Sequence, residues 1–288
     1  MSVPTVAPTP RQAQGTALPP TSTVAPTPTR PAPTATPTKA ASGVTITILY
    51  DNNEYDKRLE TTWGFACLVE LHPEAGGPGG VETTILFDTG GDSVTLLSNM
   101  RRLGIDPQDV EVVVISHIHG DHVGGLAGFL EENHAVTVYL PQSFPQSIKE
   151  ATRETGAELV EVGGPVEICR SVYSTGELGD WIREQSLVIE SSQGLVVITG
   201  CAHPGVVNIV RQAKELVGGE VYLVLGGFHL GGTSAAEIAA IVEDFRELGV
   251  QKVAPCHCSG DVARRLFEEA YGEDFIPAGV GSRLEVRD

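Results

Sequence analysis

No stretch of the 288 residues approaches the ~20 consecutive apolar residues that a membrane-spanning helix needs. No apolar segment of a secretion signal follows Met1 either. The expected setting is therefore cytoplasmic as written, or extracytoplasmic if a signal precedes the given start. Positive charge is scarce: 19 Lys and Arg stand against 37 Asp and Glu, a formal charge of −18. Such a surface repels a phosphate backbone and anionic lipid, so no nucleic-acid partner is expected. The five cysteines (67, 169, 201, 256 and 258) are odd in number and lack framework spacing, which argues against a disulfide scaffold.

The first 42 residues lack acidic side chains and have few of the apolar residues that build a core. They carry Arg11, Arg30 and Lys39, and ten of the 19 prolines, among Thr and Ala. Such a segment reads as a disordered, polyproline-like linker or tail. It would serve as a tether to an envelope anchor or be dispensable. The foldable domain is 43–288, where 16 basic residues meet 37 acidic ones. An anionic substrate there needs local positive charge, which metal ions would supply.

What the chain has is histidine at the ends of apolar runs. Residues 110–115 form an almost unbroken apolar run, read as a buried strand. His117, His119, Asp121 and His122 follow it directly. Two histidines two apart project to the same side of an extended segment. Gly120 lets the chain turn and aim Asp121 and His122 elsewhere. One ion can sit on the first pair and a second on the other. Imidazole and carboxylate ligands suit Zn²⁺, with Mn, Fe or Mg as alternatives.

The rest reads as alternating strands and helices. Strands are expected over 44–50, 63–71, 82–87, 136–140 and 158–162, with turn-rich sequence over 72–80 and helices over 93–103, 126–132 and 143–155. The second half gives strands over 166–173, 185–190, 195–199, 221–225 and 252–254. Helices are expected over 206–217, from the capping box Ser234–Glu237 to 248, and over 261–271, the last one. Three of these strands run into a histidine: Gly200-Cys201-Ala202-His203-Pro204-Gly205, Gly226-Gly227-Phe228-His229-Leu230 and Pro255-Cys256-His257-Cys258. In an α/β sheet such ends can converge on one edge, where ligands bind. Asp88, ending a strand before Thr89-Gly90-Gly91, would orient a ligand or cap the turn.

The 117–122 pattern, together with the 86–91 and 103–110 stretches, resembles the metallo-β-lactamase superfamily. The motifs at 200–205, 226–230 and 255–260 resemble one branch of it. Members of that branch are named 7,8-dihydropterin-6-yl-methyl-4-(β-D-ribofuranosyl)aminobenzene-5′-phosphate synthases or metal-dependent hydrolases. The resemblance runs from about residue 44 to the end and implies an α/β fold, the four-layer αβ/βα sandwich. It also implies two divalent metal ions at one edge. His117, His119, Asp121, His122, His203 and His257 would be the ligands, and Asp121 and His229 the catalytic residues. The segment 173–177 lacks a histidine that many members carry. Cys201 stands where many have a metal-bridging Asp, and His203 would supply the missing ligand. His229 would be a further ligand or, the reading preferred here, a proton donor.

Three functions follow as expectations. A metal-dependent hydrolase would lower the pKa of bound water toward ~7 and act on a small phosphorylated or ester-type substrate. Glycines at 226–227 and helix starts after Gly205 and Ser259 would offer N–H groups to its anion. A synthase of the branch's named type would join an aryl ribose phosphate to a pterin methylene carbon and release pyrophosphate. A noncatalytic metal-binding sensor would keep the ligands without turnover.

Overall fold

The computed structural model describes residues 43–72 and 83–287. The linker expected over 1–42 lies outside these residues, as does most of the turn-rich segment expected over 72–80. The first strands are β1 (Gly43–Tyr50), β2 (Ala66–His72), β3 (Thr83–Phe87), β4 (Val112–Val114), β5 (Thr137–Pro141) and β6 (Glu158–Val162). Then come β7 (Val166–Cys169), β8 (Val172–Ser174), β9 (Leu187–Ser191), β10 (Gly194–Thr199), β11 (Val221–Gly227) and β12 (Lys252–Cys256), with β13 (Arg283–Arg287) last. They build a seven-stranded sheet ordered β13-β1-β2-β3-β4-β5-β6 and a six-stranded sheet ordered β12-β11-β10-β9-β8-β7.

The strands are apolar at consecutive positions because both faces of each sheet are covered. Val196 and Ile198 of β10, and Leu223 and Leu225 of β11, pack between the sheets with Ile46, Ile48 and Ile85. The intervening Val197 and Val224 point the other way. They meet α5 (Val206–Val217), α6 (Ala235–Glu247) and α7 (Asp261–Tyr271) through Ile209, Ile238 and Phe267. On the far side, Leu68, Leu86 and Val113 meet α1 (Ser93–Leu103) and α3 (Leu126–Glu132) through Leu96, Met100 and Phe129. Three apolar clusters between four layers give the αβ/βα sandwich expected from the sequence. Each fully buried Leu, Ile or Phe contributes roughly 1.5–3 kcal/mol to that arrangement.

Several boundaries differ from the sequence reading. The strand expected from Trp63 begins at Ala66, and Trp63 itself is 59% exposed. The apolar run 110–115 is strand only over β4, because Val110 closes a 3₁₀ turn and 115–119 lead into the site. The strand expected over 166–173 is the hairpin β7–β8, turning at Ser171 with φ +64°. The helix expected from Ser143 is α4 (Gln146–Glu154), since Pro145 biases the residue before it away from helical backbone. The capping box at Ser234 and Glu237 forms as expected. Past the last helix the sequence reading placed nothing, yet β13 pairs antiparallel with β1, matching Val44 to Val286. Its Leu284 and Val286 are buried between exposed Arg283, Glu285 and Arg287.

Candidate metal centre

β3, β4 and β5 run parallel, as do β10, β11 and β12. Parallel strands deliver their carboxyl ends to a common edge. Asp88 leaves β3, residues 116–122 leave β4, and 200–205, 228–229 and 257 leave β10, β11 and β12. Five described non-glycine residues have positive φ, and four of them are Asp88, Ala202, His229 and His257. Backbone strain is therefore concentrated in these loops. Close approach needs glycine here, Gly200 and Gly124 among others. A Cβ on Gly200 would stand 2.1 Å from Ser116 Oγ, and one on Gly124 would stand 2.2 Å from the Gly91 carbonyl. Gly124 begins the turn between the short helix α2 (Gly120–Val123) and α3.

The expected ligands come together as two triads. His117, His119 and His203 form one; Asp121, His122 and His257 form the other. In the first, His117 Nε2 is 3.0 Å from His119 Nδ1, which is 3.2 Å from His203 Nε2. In the second, Asp121 Oδ2 is 3.4 Å from His257 Nε2 and 3.7 Å from His122 Nε2. Two nitrogens bound ~2.0–2.1 Å from a tetrahedral ion stand ~3.3 Å apart. His229 is exposed and belongs to neither triad; its ring lies 4.3 Å from that of His203.

The surrounding hydrogen bonds fix which nitrogens carry protons. Buried Asp88 accepts from the Ser116 N–H at 2.6 Å and from its hydroxyl at 2.7 Å. With its proton given to Asp88, Ser116 Oγ accepts from His117 Nδ1 at 2.9 Å. Asp88 Oδ2 also accepts from His122 Nδ1 at 2.7 Å. Asn52 donates its amide to the His257 carbonyl at 3.2 Å and accepts from His257 Nδ1 at 2.9 Å. In the neutral rings Nδ1 therefore carries the proton, and His117, His122 and His257 all turn Nε2 inward. His257 Nε2 is buried with no hydrogen-bond partner. Facing lone pairs on buried imidazoles repel one another unless a cation lies among them, so these residues fit a metal centre.

The electrostatics follow from this crowding. Burial and then the neighbouring imidazoles, His122 first, push the His117 pKa far down. Burial, then His229 and His119, bring His203 down to about 4. Burial opposes ionisation of Asp121, but the facing His257 and His122 imidazoles outweigh it and lower its pKa. Burial likewise opposes charge on His122, while Asp88 and then Asp121 raise its pKa overall.

Three supporting residues escaped the sequence reading. Glu184, fully buried, accepts from the N–H groups of Cys201, Ala202 and His203 at 2.8–2.9 Å and so clamps the loop after β10. Asp51 accepts from the His257 N–H at 3.0 Å, and Asn52 holds the ring. The polar trio Asp51-Asn52-Asn53 at the end of β1 was the available signal; Glu184 in its loop had none. Beside the triads a cavity of about 310 Å³ is lined by His203, His229, Val206, Val207, Phe228 and Leu230, among others. On the other side, exposed Trp63 packs its ring 5.1 Å from that of His257.

Residues 79–215 match the metallo-beta-lactamase superfamily. A Methanocaldococcus jannaschii protein is 27% identical over 274 residues, 80% of this chain and 92% of that one. It is named 7,8-dihydropterin-6-methyl-4-(beta-D-ribofuranosyl)-aminobenzene-5'-phosphate synthase. A solved structure described as a metal-dependent hydrolase of the beta-lactamase superfamily superposes with a TM-score of 0.68 at 31% identity. That match covers 85% of this chain and 100% of the other. A metallo-beta-lactamase fold protein from Bacillus subtilis gives a TM-score of 0.60 over 85% and 100%, and at 13% identity it speaks for the fold alone.

Proposed function

The chain belongs to the metallo-beta-lactamase superfamily, and from that premise we propose that it is a metal-dependent hydrolase of a small phosphorylated or ester-type substrate. The observation that carries the reading is the set of inward-facing imidazole nitrogens, above all the buried, unpartnered Nε2 of His257. His117, His119 and His203 would hold one divalent ion, and Asp121, His122 and His257 a second. Zn²⁺ suits these donors best. Bound there, such ions supply Lewis acidity to a phosphoryl or acyl oxygen and lower the pKa of water toward ~7. Asp121, the only carboxylate in the triads, would also orient the attacking water. His229, outside both triads and open to solvent, would give a proton to the leaving group. The cavity beside His203 and His229 would take an apolar part of the substrate. Among the described residues no helix is long and apolar enough to cross a membrane. The residues at 1–42 remain, in this reading, a linker outside the catalytic domain.

A second reading is favoured by one observation: the relative named as a synthase spans 80% of this chain. In that reading the same edge would hold a pyrophosphate leaving group while an aryl ribose phosphate attacks a pterin methylene carbon. The two are separated by incubating zinc-loaded protein with phosphoesters, lactones and thioesters, and in parallel with the pterin diphosphate and aryl ribose phosphate pair. Turnover in the first panel supports the hydrolase. Pyrophosphate release only when both partners of the pair are present would replace it with the synthase.

A further inference from the structure

Resting on the metal-centre reading above, we infer that Cys201 is a thiolate ligand shared between the two triads, which makes the centre selective for thiophilic ions. Its sulfur joins three groupings of mutually close ligand atoms: with His117 and His122, with His203 and His229, and with His257 and Cys258. His117 and His203 belong to the imidazole triad, while His122 and His257 belong to the carboxylate triad. No other described residue joins three such groupings. Cys201 therefore stands where both triads can reach it.

Its immediate contacts point the same way. Cys201 Sγ is 3.2 Å from His122 Nε2. The proton of that ring is on Nδ1, given to Asp88, so an unprotonated nitrogen faces the sulfur. Cys201 is 4% exposed. Its position is also held from behind. Its N–H donates to Glu184 at 2.9 Å, Gly200 sits against Ser116 with no room for a side chain, and Ala202 takes a strained φ of +59°. A cysteine that only fills space needs none of this. Cys67, for example, packs into the apolar layer between the sheets and joins no ligand grouping. Cys258 is placed differently again: its thiol donates to the Cys201 carbonyl at 3.7 Å, and it joins one grouping only.

The chemical consequence concerns which ion is bound. A nitrogen and oxygen set would accept Mg²⁺ or Mn²⁺ as well as Zn²⁺, whereas a thiolate at its centre favours Zn²⁺, Co²⁺ or Fe²⁺. Binding would release the thiol proton to solvent, and the Cys201 sulfur would form the new bond.

The test uses the full chain, stripped of metal and titrated with Co²⁺. A cobalt–thiolate bond gives a near-ultraviolet charge-transfer band that nitrogen and oxygen ligands do not give. The expected result is that band in the wild-type protein and in Cys258→Ser, and its loss in Cys201→Ser and Cys201→Asp. The Asp variant should still take up cobalt and keep the wild-type far-ultraviolet circular dichroism, which guards against a misfolded protein. Cobalt uptake by the wild type with no such band overturns the inference and leaves the metal centre standing. A band that survives Cys201→Ser also overturns it. No cobalt uptake at all overturns the metal-centre reading and this inference with it.

Discussion

His117, His119 and His203 form a triad of imidazoles alone, two of them half-buried, whereas Asp121, His122 and His257 combine a carboxylate with two buried imidazoles. The two are also held differently. Each imidazole of the carboxylate triad has its far nitrogen tied by a side chain from another element, His122 by Asp88 and His257 by Asn52. In the imidazole triad Ser116 ties His117, while His203 is placed through its backbone by Glu184. The carboxylate triad is thus set by side-chain orientation, and the imidazole triad partly by the shape of one loop. Asp88 links the two, since it accepts from His122 directly and reaches His117 through Ser116.

Substitutions that act on one triad at a time sharpen this comparison. The largest effect is expected from His117→Ala and His119→Ala, which remove proposed ligands outright. Both should lose metal from the imidazole triad and hydrolysis together, read by elemental analysis beside a turnover assay. Full activity in either variant would remove that triad from the mechanism. Next comes His229→Ala. Outside both triads, it should keep its metal and lose roughly 10²–10⁴-fold in kcat, the usual range for a general acid or base. The loss should be smallest on substrates whose leaving group needs no proton. A metal-depleted His229→Ala would make His229 a ligand instead.

Smaller effects test the supports. Asn52→Ala should weaken metal binding at the carboxylate triad, and Ser116→Ala at the imidazole triad, each by about 10–100-fold, the range for losing a partner of a ligand. Competition with a chromophoric chelator resolves the two binding steps. If both variants weaken the same step, the division into two triads is wrong. Smallest of all, removing residues 1–42 should leave Tm and metal content unchanged, because that segment has few apolar residues able to pack. A large drop in Tm on truncation would show that it docks on the domain.

How much of this was legible in the sequence follows the same division. His117, His119, Asp121 and His122 are contiguous, so their convergence is local geometry that a motif records. His203 and His257 could be placed because each follows an apolar run ending in glycine or proline, a pattern that marks strand ends at one edge. Their supports are of another kind. Asn52 and His257 are 205 positions apart, and their contact exists only because β1 and β12 come together in the folded sandwich. Glu184 reads as an ordinary charged residue, and nothing in its neighbours says that it is fully buried under three backbone N–H groups. Cys201 was visible only as a departure from a resemblance, which gave the missing ligand's place to His203. The fold was readable because consecutive apolar runs mark its buried strands and helical spacing marks its helices. β13 was the exception, its alternation over 283–287 being too short to stand out after the Gly- and Pro-containing stretch at 276–282.

The central claim is that this edge of the sandwich is a two-ion metal centre. The most direct measurement is elemental analysis of the full-length protein, reconstituted with zinc and freed of excess by gel filtration. Two tightly held ions per chain are predicted, falling in Asp121→Asn and in His117→Ala. No retained metal after reconstitution with Zn, Mn and Fe would contradict the account.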